Sequence, residues 1–267
     1  MEKLGFIGCG NLAGSIVKGL RQSGSPAVIN LFDLFEEKPR QLAEQYQAKV
    51  CTQAEVIRDS DVIVLAIKPK DIPALLAALG KDDLAGKLLI TVAAGIGLEY
   101  YERKLPGTAV VRVMPNTSAA VLHSVSALAR GKKVSESQAK SAEKVFSALG
   151  KVLWVKDEEI NAVTAVSGSG PAYFYLLAEY MAQAGEKLGL SKEQATLLAV
   201  ETLVGAGKML AQTGREPAEL RKAVTSPNGT TSAAICSFEQ AGLEGIVWQA
   251  LQACQKRAEE MEEEYSE

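Results

Sequence analysis

Leu4-Gly5-Phe6-Ile7-Gly8-Cys9-Gly10-Asn11-Leu12-Ala13-Gly14 is the stretch on which the fold turns. A short apolar run ends in glycines, and Ile16, Val17 and Leu20 then recur at helical spacing, so the segment reads as strand, tight turn and helix. Gly8, Gly10 and Ala13 fit the G-x-G-x-x-G/A pattern. In that pattern the first glycine permits the sharp turn, the second lets a pyrophosphate approach the backbone, and the small third residue lets helix and strand pack closely. Asp33 follows about twenty residues later at the end of a second strand, the position where an acid accepts hydrogen bonds from an adenosine ribose. Ile7, Gly8, Gly10, Asn11, Leu12, Ala13 and Asp33 are therefore the expected cofactor contacts at this turn. An acid at position 33 repels a 2′-phosphate and argues for NAD, whereas Lys38 and Arg40 stand close enough in sequence to offer a phosphate contact. Both NADPH and NADH stay open.

Outward from the turn, Val28 to Phe32 reads as a strand, Glu36 to Tyr46 as a helix, and Asp61 to Ile67 as a β-branched strand broken by Lys68-Pro69. Leu88 to Val92 and Ala109 to Val113 continue the alternation, and Ser126 to Ala129 and Val152 to Val155 flank a helix from about Ser135 to Leu149. Such alternation implies a parallel sheet with helices on both faces. Ala66, Lys68 and Pro69, then Ala93, Ala94 and Gly95, end two of these strands at the carboxyl edge, where open α/β sheets bind their ligands. Asn116, at a later strand end with Arg112 and Met114, is a candidate for the nicotinamide pocket; Arg112 could equally pair with an acid at the domain junction.

Beyond Glu158 the pattern is helical throughout: Gly170 to Gly189, Ser191 to Thr213, Glu216 to Ala223, Thr230 to Gln240 and Leu243 to Glu264. The expected fold class is α/β, an N-terminal Rossmann-type doubly wound sheet over 1–158 followed by an all-α dimerisation and substrate domain over 159–267. Ser191 with Gln194 makes a capping box. The stretch Ala195 to Leu210 is apolar or small around nearly its whole circumference, so it must be buried on all sides. A domain of this size rarely encloses one of its own helices so fully, which points to an obligate homodimer with interleaved helices; a single well-wrapped central helix is the other reading. The acidic run Glu259 to Glu264 reads as a solvated helix end.

Two hydroxyl- and glycine-rich loops interrupt this helical half: Ser167-Gly168-Ser169-Gly170-Pro171-Ala172-Tyr173 and Thr225-Ser226-Pro227-Asn228-Gly229-Thr230-Thr231. A loop opening onto a helix presents unpaired N–H groups and the positive end of the dipole, which suits a small carboxylate or phosphate.

The net charge of −3 and the lack of any basic cluster with interleaved aromatics argue against nucleic acid as a partner. The longest uncharged apolar stretches, Val62 to Ile67 and Leu88 to Leu98, are too short to span a bilayer. With Glu2 and Lys3 directly followed by the first strand, no cleaved leader is expected, and the protein is expected in the cytoplasm. Cys9, Cys51, Cys236 and Cys254 are far apart and have only His123 to join them, so neither a metal site nor disulfides are expected.

These motifs together resemble the pyrroline-5-carboxylate reductases, and the resemblance covers essentially the whole chain. It rests on Gly8 to Ala13, Ala66 to Pro69, Val92 to Gly95, Arg112-Val113-Met114-Pro115-Asn116-Thr117, Ser167 to Tyr173 and Thr225 to Thr231. It implies NADPH or NADH on the N-terminal domain and 1-pyrroline-5-carboxylate against the 225–231 loop. Thr231 would hydrogen-bond the pyrroline nitrogen, while the backbone amides of Ser226, Gly229, Thr230 and Thr231 would take the carboxylate. It also implies dimers through interlocked helical domains and further assembly into pentamers of dimers. Asn228 replaces the first glycine of the usual Ser-Pro-Gly-Gly, a substitution suited to a left-handed residue. Ala223 and Asp33 also depart from some relatives, which bears on cofactor detail. A reductase of another small imino or keto acid, or a non-catalytic nucleotide-binding regulator, are the competing readings. The first would call for a catalytic lysine or histidine that Val163 to Ser169 does not offer.

Overall fold

The computed structural model describes residues 2–80 and 82–265. The chain forms two compact units, Met1–Ser169 with Cys254–Glu267, and Gly170–Ala253.

The first unit is built on β1 (Lys3–Ile7), α1 (Asn11–Gln22), β2 (Val28–Phe32), α2 (Glu37–Tyr46), β3 (Lys49–Val50), α3 (Gln53–Asp59), β4 (Val62–Leu65), α4 (Ile72–Ala77), β5 (Leu88–Thr91), α5 (Leu98–Lys104), β6 (Ala109–Met114), β7 (Ser124–Arg130), α6 (Glu136–Ser147), β8 (Gly150–Val155) and α7 (Ile160–Val163). The strands form one sheet in the order β3-β2-β1-β4-β5-β6-β7-β8. Strand order reverses about β1, which pairs in parallel with β2 on one side and β4 on the other. That reversal is the switch point at which doubly wound sheets bind ligands, and the glycine turn leaves β1 there.

The sheet is not parallel throughout. β7 runs antiparallel to β6, and β8 then lies parallel to β7. The reason is connection length: parallel neighbours need a crossover of about a dozen residues or more, which α6 supplies between β7 and β8 but the short 3₁₀ turn Thr117–Val121 does not.

Each face of the sheet carries its own core. Phe6, Val64, Ile90 and Val111 pack against Ile16, Val17 and Leu20 of α1 and Ala142, Val145 and Phe146 of α6. On the other face Ile7, Ile63, Leu65 and Leu89 meet Val56 and Ile57 of α3, Ile72 and Leu75 of α4, and Tyr101 of α5. Each fully buried Leu, Ile or Phe contributes roughly 1.5–3 kcal/mol, so these two layers hold the strand ends rigidly. β3 and the helices α3, α4 and α5 lie outside the elements expected from sequence. The helices are seven residues or fewer, too short for apolar periodicity to declare itself over successive turns.

The second unit contains α8 (Gly170–Lys187), α9 (Lys192–Thr213), α10 (Pro217–Ala223), α11 (Thr230–Gln240) and the start of α12 (Leu243–Glu263). The capping box that starts α9 is present: Ser191 Oγ accepts from Gln194 N–H at 3.2 Å, and Gln194 Oε1 accepts from Ser191 N–H at 3.0 Å. Gly214, left-handed at φ 62°, ends the helix. Only Ala195 and Ala199 of α9 are buried within the single chain, while Leu197, Leu198, Val204 and Met209 are exposed. An all-round apolar helix left open in this way is the surface a second copy would cover. Among the described residues no helix is long and apolar enough to cross a membrane.

Candidate functional site

The glycine turn is held by two opposite requirements. Gly8 has φ +98°, a region L side chains rarely enter, and a Cβ there would strike the Ala66 carbonyl. Its N–H donates to Phe32 O at 2.8 Å. Gly10, the N-cap of α1, has no protein atom within 4 Å of the place a Cβ would occupy, and no side chain caps the helix. Nothing inside the protein therefore demands a glycine at 10. The open space over an uncapped helix N-terminus is a cradle that could seat a phosphate group, which would satisfy the free N–H groups and the dipole together. Ala13, fully buried, lies beneath this cradle in the α1 packing.

Asp33 is bound into the same turn. Its Oδ2 accepts the Cys9 N–H at 2.7 Å and its Oδ1 the Phe35 N–H at 2.9 Å. Cys9 is buried, and burial first, with the Asp33 charge second, pushes its thiol up to about 12. A thiol so far from ionising is no nucleophile.

Two clefts flank the turn, one of about 780 Å³ and one of about 1160 Å³. The first is lined by Ile7, Gly8, Gly10, Asn11, Leu12, Asp33, Ala66, Lys68, Pro69, Ala93 and Ala94, all expected from sequence. Gly10, Asn11, Leu12, Lys38, Lys68 and Ala94 also line the second, so the two spaces meet over the N-terminus of α1. Asn116 lines the second, with Met114, Pro115, Thr164 and Gly168. Gly95 lines neither; its would-be Cβ meets Met261. Sequence reasoning missed Leu34 and Phe35, which stand 84% and 67% exposed at the lip of the first cleft. Apolar side chains displayed beside Asp33 offer a surface against which a flat aromatic ring could stack. Lys38 Nζ lies 4.8 Å from the Phe35 ring centroid, a cation held at the same lip.

The 167–173 segment begins in a π-helical turn, Thr164–Gly168, in which Ser169 N–H donates to Thr164 O at 2.8 Å. Such turns accompany functional sites. Asn116 Nδ2 donates to Ser167 Oγ at 3.3 Å, and a Cβ on Gly168 would sit 3.3 Å from Met114 Sδ. The small residues of this segment thus serve close packing on the β6 exit.

Arg112 is 1% exposed and lines neither cleft. Its Nη1 donates to Asp157 Oδ1 at 3.0 Å and Glu262 Oε1 at 2.9 Å. Of its two sequence readings, pairing with acids is the one present. Glu262 consequently departs from the solvated helix end expected of its acidic run. His123 is exposed and lines neither cleft. Among the described residues no cluster of His, Cys, Asp and Glu could hold a metal ion.

In the second unit the 225–231 loop is a compact turn. Gly229 N–H donates to Ser226 O at 3.0 Å, and Asn228 takes φ +58°. Gly229 is the N-cap of α11 and supplies no side-chain cap, so the first-turn amides are open to an anion. Thr225 Oγ1 donates to Arg221 O at 2.6 Å, closing the preceding helix.

A sheet with a phosphate cradle at its switch point, followed by a helical unit with an open apolar surface, defines a two-domain, dinucleotide-dependent oxidoreductase fold. The pyrroline-5-carboxylate reductase dimerisation family matches residues 157–261, and the family described as NADP oxidoreductase coenzyme F420-dependent matches residues 3–95. The chain is 45% identical to the pyrroline-5-carboxylate reductase of Pseudomonas aeruginosa over 98% of this chain and 97% of that one. It is 37% identical to the Methanosarcina acetivorans enzyme of the same name, over 97% and 98%. The solved structure of a pyrroline-5-carboxylate reductase from Coxiella burnetii superposes with a TM-score of 0.92 at 36% identity, covering 97% of each chain. That of the Plasmodium falciparum pyrroline carboxylate reductase with NADP bound gives 0.84 at 26%, covering 98% of each. The chain belongs to the pyrroline-5-carboxylate reductase family.

Proposed function

We propose that this chain reduces the C=N bond of 1-pyrroline-5-carboxylate to give L-proline, the last step of proline biosynthesis, with NADPH or NADH as reductant. The observation that carries the reading is the full-length likeness to curated reductases of that name, 45% identical over 98% of the chain. It spans the glycine turn and the 225–231 loop alike.

Ile7, Gly8, Gly10, Asn11, Leu12, Ala13, Asp33, Ala66, Lys68, Pro69, Ala93, Ala94, Gly95 and Asn116 hold the cofactor in this reading. The open Gly10 cradle and the clefts beside it support that assignment for all of these except Ala13, which packs beneath the cradle, and Gly95, which faces Met261 and lines neither cleft. Bound there, the reduced nicotinamide supplies a hydride to the imine carbon. The amides of Ser226, Thr230 and Thr231 clamp the substrate carboxylate at the uncapped start of α11, whereas that of Gly229, expected with them, is engaged by Ser226 O within the turn. The Thr231 hydroxyl orients the ring nitrogen, which is basic enough to arrive protonated and loses its positive charge as the C–H bond forms. No strong acid is then required, and holding the reactants in attack geometry is worth roughly 7–11 kcal/mol.

The functional domains in this reading are 1–158 for the nucleotide and 159–267 for substrate and dimerisation, with the dimerisation match over 157–261 in support. The protein works in the cytoplasm as a homodimer, with pentamers of dimers as the larger assembly.

The test is the fall in reduced-nicotinamide absorbance on mixing the enzyme with pyrroline-5-carboxylate and either NADPH or NADH. Cofactor binding without turnover would leave a nucleotide-binding regulator; turnover only with another imino or keto acid would move the substrate assignment.

A further inference from the structure

Two glycines in the loop after β5 face the same helix end. A Cβ on Gly95 would lie 2.9 Å from Met261 Cβ, and one on Gly97 would overlap the Glu262 carboxylate. Met261 and Glu262 belong to the last turns of α12, in the stretch that is part of the first compact unit. Ala93 and Ala94, at the start of the same loop, line the clefts on either side of the glycine turn. The loop therefore has cleft wall at one end and the terminus of α12 at the other, with glycines where the helix seats.

Glu262 makes a second connection. Its Oε1 accepts from Arg112 Nη1 at 2.9 Å and its Oε2 from Asn161 Nδ2 at 2.7 Å. The same Arg112 nitrogen donates to Asp157 Oδ1, whose other oxygen accepts the N–H of Leu98, the first residue of α5, at 2.8 Å. Arg112 lies on β6, two residues before Met114 in the wall of the larger cleft. One carboxylate thus bears on the loop through Gly97 and on the β6 exit through a buried guanidinium.

We propose that the final turn of α12 is a positioning element for the dinucleotide cleft, and that Glu262 is its positioning residue. It holds the 93–97 loop and the β6 exit in the geometry that receives the cofactor, so that neither must be ordered at the moment of binding. The proposal rests on the dinucleotide reading of the cleft.

The experiment measures dissociation constants for NADPH and NADH, alongside melting temperature and the KM for pyrroline-5-carboxylate. Glu262→Ala is expected to weaken dinucleotide binding by roughly three- to thirtyfold, the range over which packed networks couple sites. The substrate KM should stay within about twofold, because that contact is separate. Gly97→Ala should do similar harm, since its methyl group must displace Glu262. In the double variant the methyl occupies vacated space, so binding should be no weaker than in Glu262→Ala alone. Glu262→Gln, which keeps the shape and removes the charge facing Arg112, is the fallback should the alanine variant not fold: it is expected to weaken dinucleotide binding in the same direction with the substrate KM unchanged, and unchanged dissociation constants would overturn the proposal. Unchanged dissociation constants with a lowered melting temperature, or strictly additive losses in the double variant, would overturn the proposal. A wild-type protein that binds neither dinucleotide would instead overturn the reading of the cleft.

Discussion

The backbone N–H of Cys9 donates to the carboxylate of Asp33 at 2.7 Å, so the turn that leaves β1 and the acid that ends β2 form one rigid piece. The acid cannot swing aside to admit a 2′-phosphate without releasing the glycine turn. Asp33→Ser is therefore expected to raise the ratio of kcat/KM for NADPH over NADH by about tenfold, equivalent to ~1.4 kcal/mol. Initial rates with both cofactors check this; an unchanged ratio removes Asp33 from cofactor choice.

Gly8 and Gly10 should separate stability from binding. Alanine at 8 meets the Ala66 carbonyl in a left-handed backbone, which should cost about 2 kcal/mol or more. Alanine at 10 meets no protein atom and should cost at most about 1 kcal/mol as a poorer N-cap. Thermal melting should thus fall for Gly8→Ala and barely move for Gly10→Ala, while dinucleotide titration shows Gly10→Ala impaired. Normal binding by the second variant would mean that the open space over α1 is not a pyrophosphate site.

Thr231→Ala should lower kcat by about tenfold, the worth of one orienting hydrogen bond of ~1–1.5 kcal/mol, and leave measurable turnover. Thr231→Ser should recover most of the loss. His123→Gln should leave the rate unchanged, since that side chain is exposed and outside both clefts. A larger effect at 123 than at 231 would reverse the assignment.

Leu197 is 62% exposed on α9, where only Ala195 and Ala199 are buried within the chain. If α9 carries the proposed dimer interface, Leu197→Asp should yield monomers in light scattering, because a carboxylate cannot be buried unpaired in an apolar interface. A variant that remains dimeric would place the interface elsewhere.

Much of this was legible in the sequence because it is periodic or chemically constrained. The turn from Gly8 to Ala13 and the long helices α8, α9, α11 and α12 announce themselves through spacing, caps and glycines. The two-residue β3 and the short helices α3 to α5 are too brief for that. The reversed direction of β7 was encoded in the short link between Met114 and Ser124, a matter of chain length that residue type does not show. Glu262 is disguised by its neighbours: Glu259, Glu263 and Glu264 are exposed, and nothing in the acidic run singles out the one that turns inward. Its partner Arg112 lies 150 residues earlier, beyond the reach of any local pattern. Leu34 and Phe35 were missed because exposed apolar residues acquire meaning only beside a cleft.

That separation has a consequence for biosynthesis. Chains leave the ribosome N-terminus first and their domains tend to fold in that order, yet the guanidinium beneath β6 has one of its two counter-ions only once residue 262 has emerged. The nucleotide-binding half is begun first and finished last, and a nascent chain halted within the helical half would hold a sheet whose innermost cation is still half-neutralised.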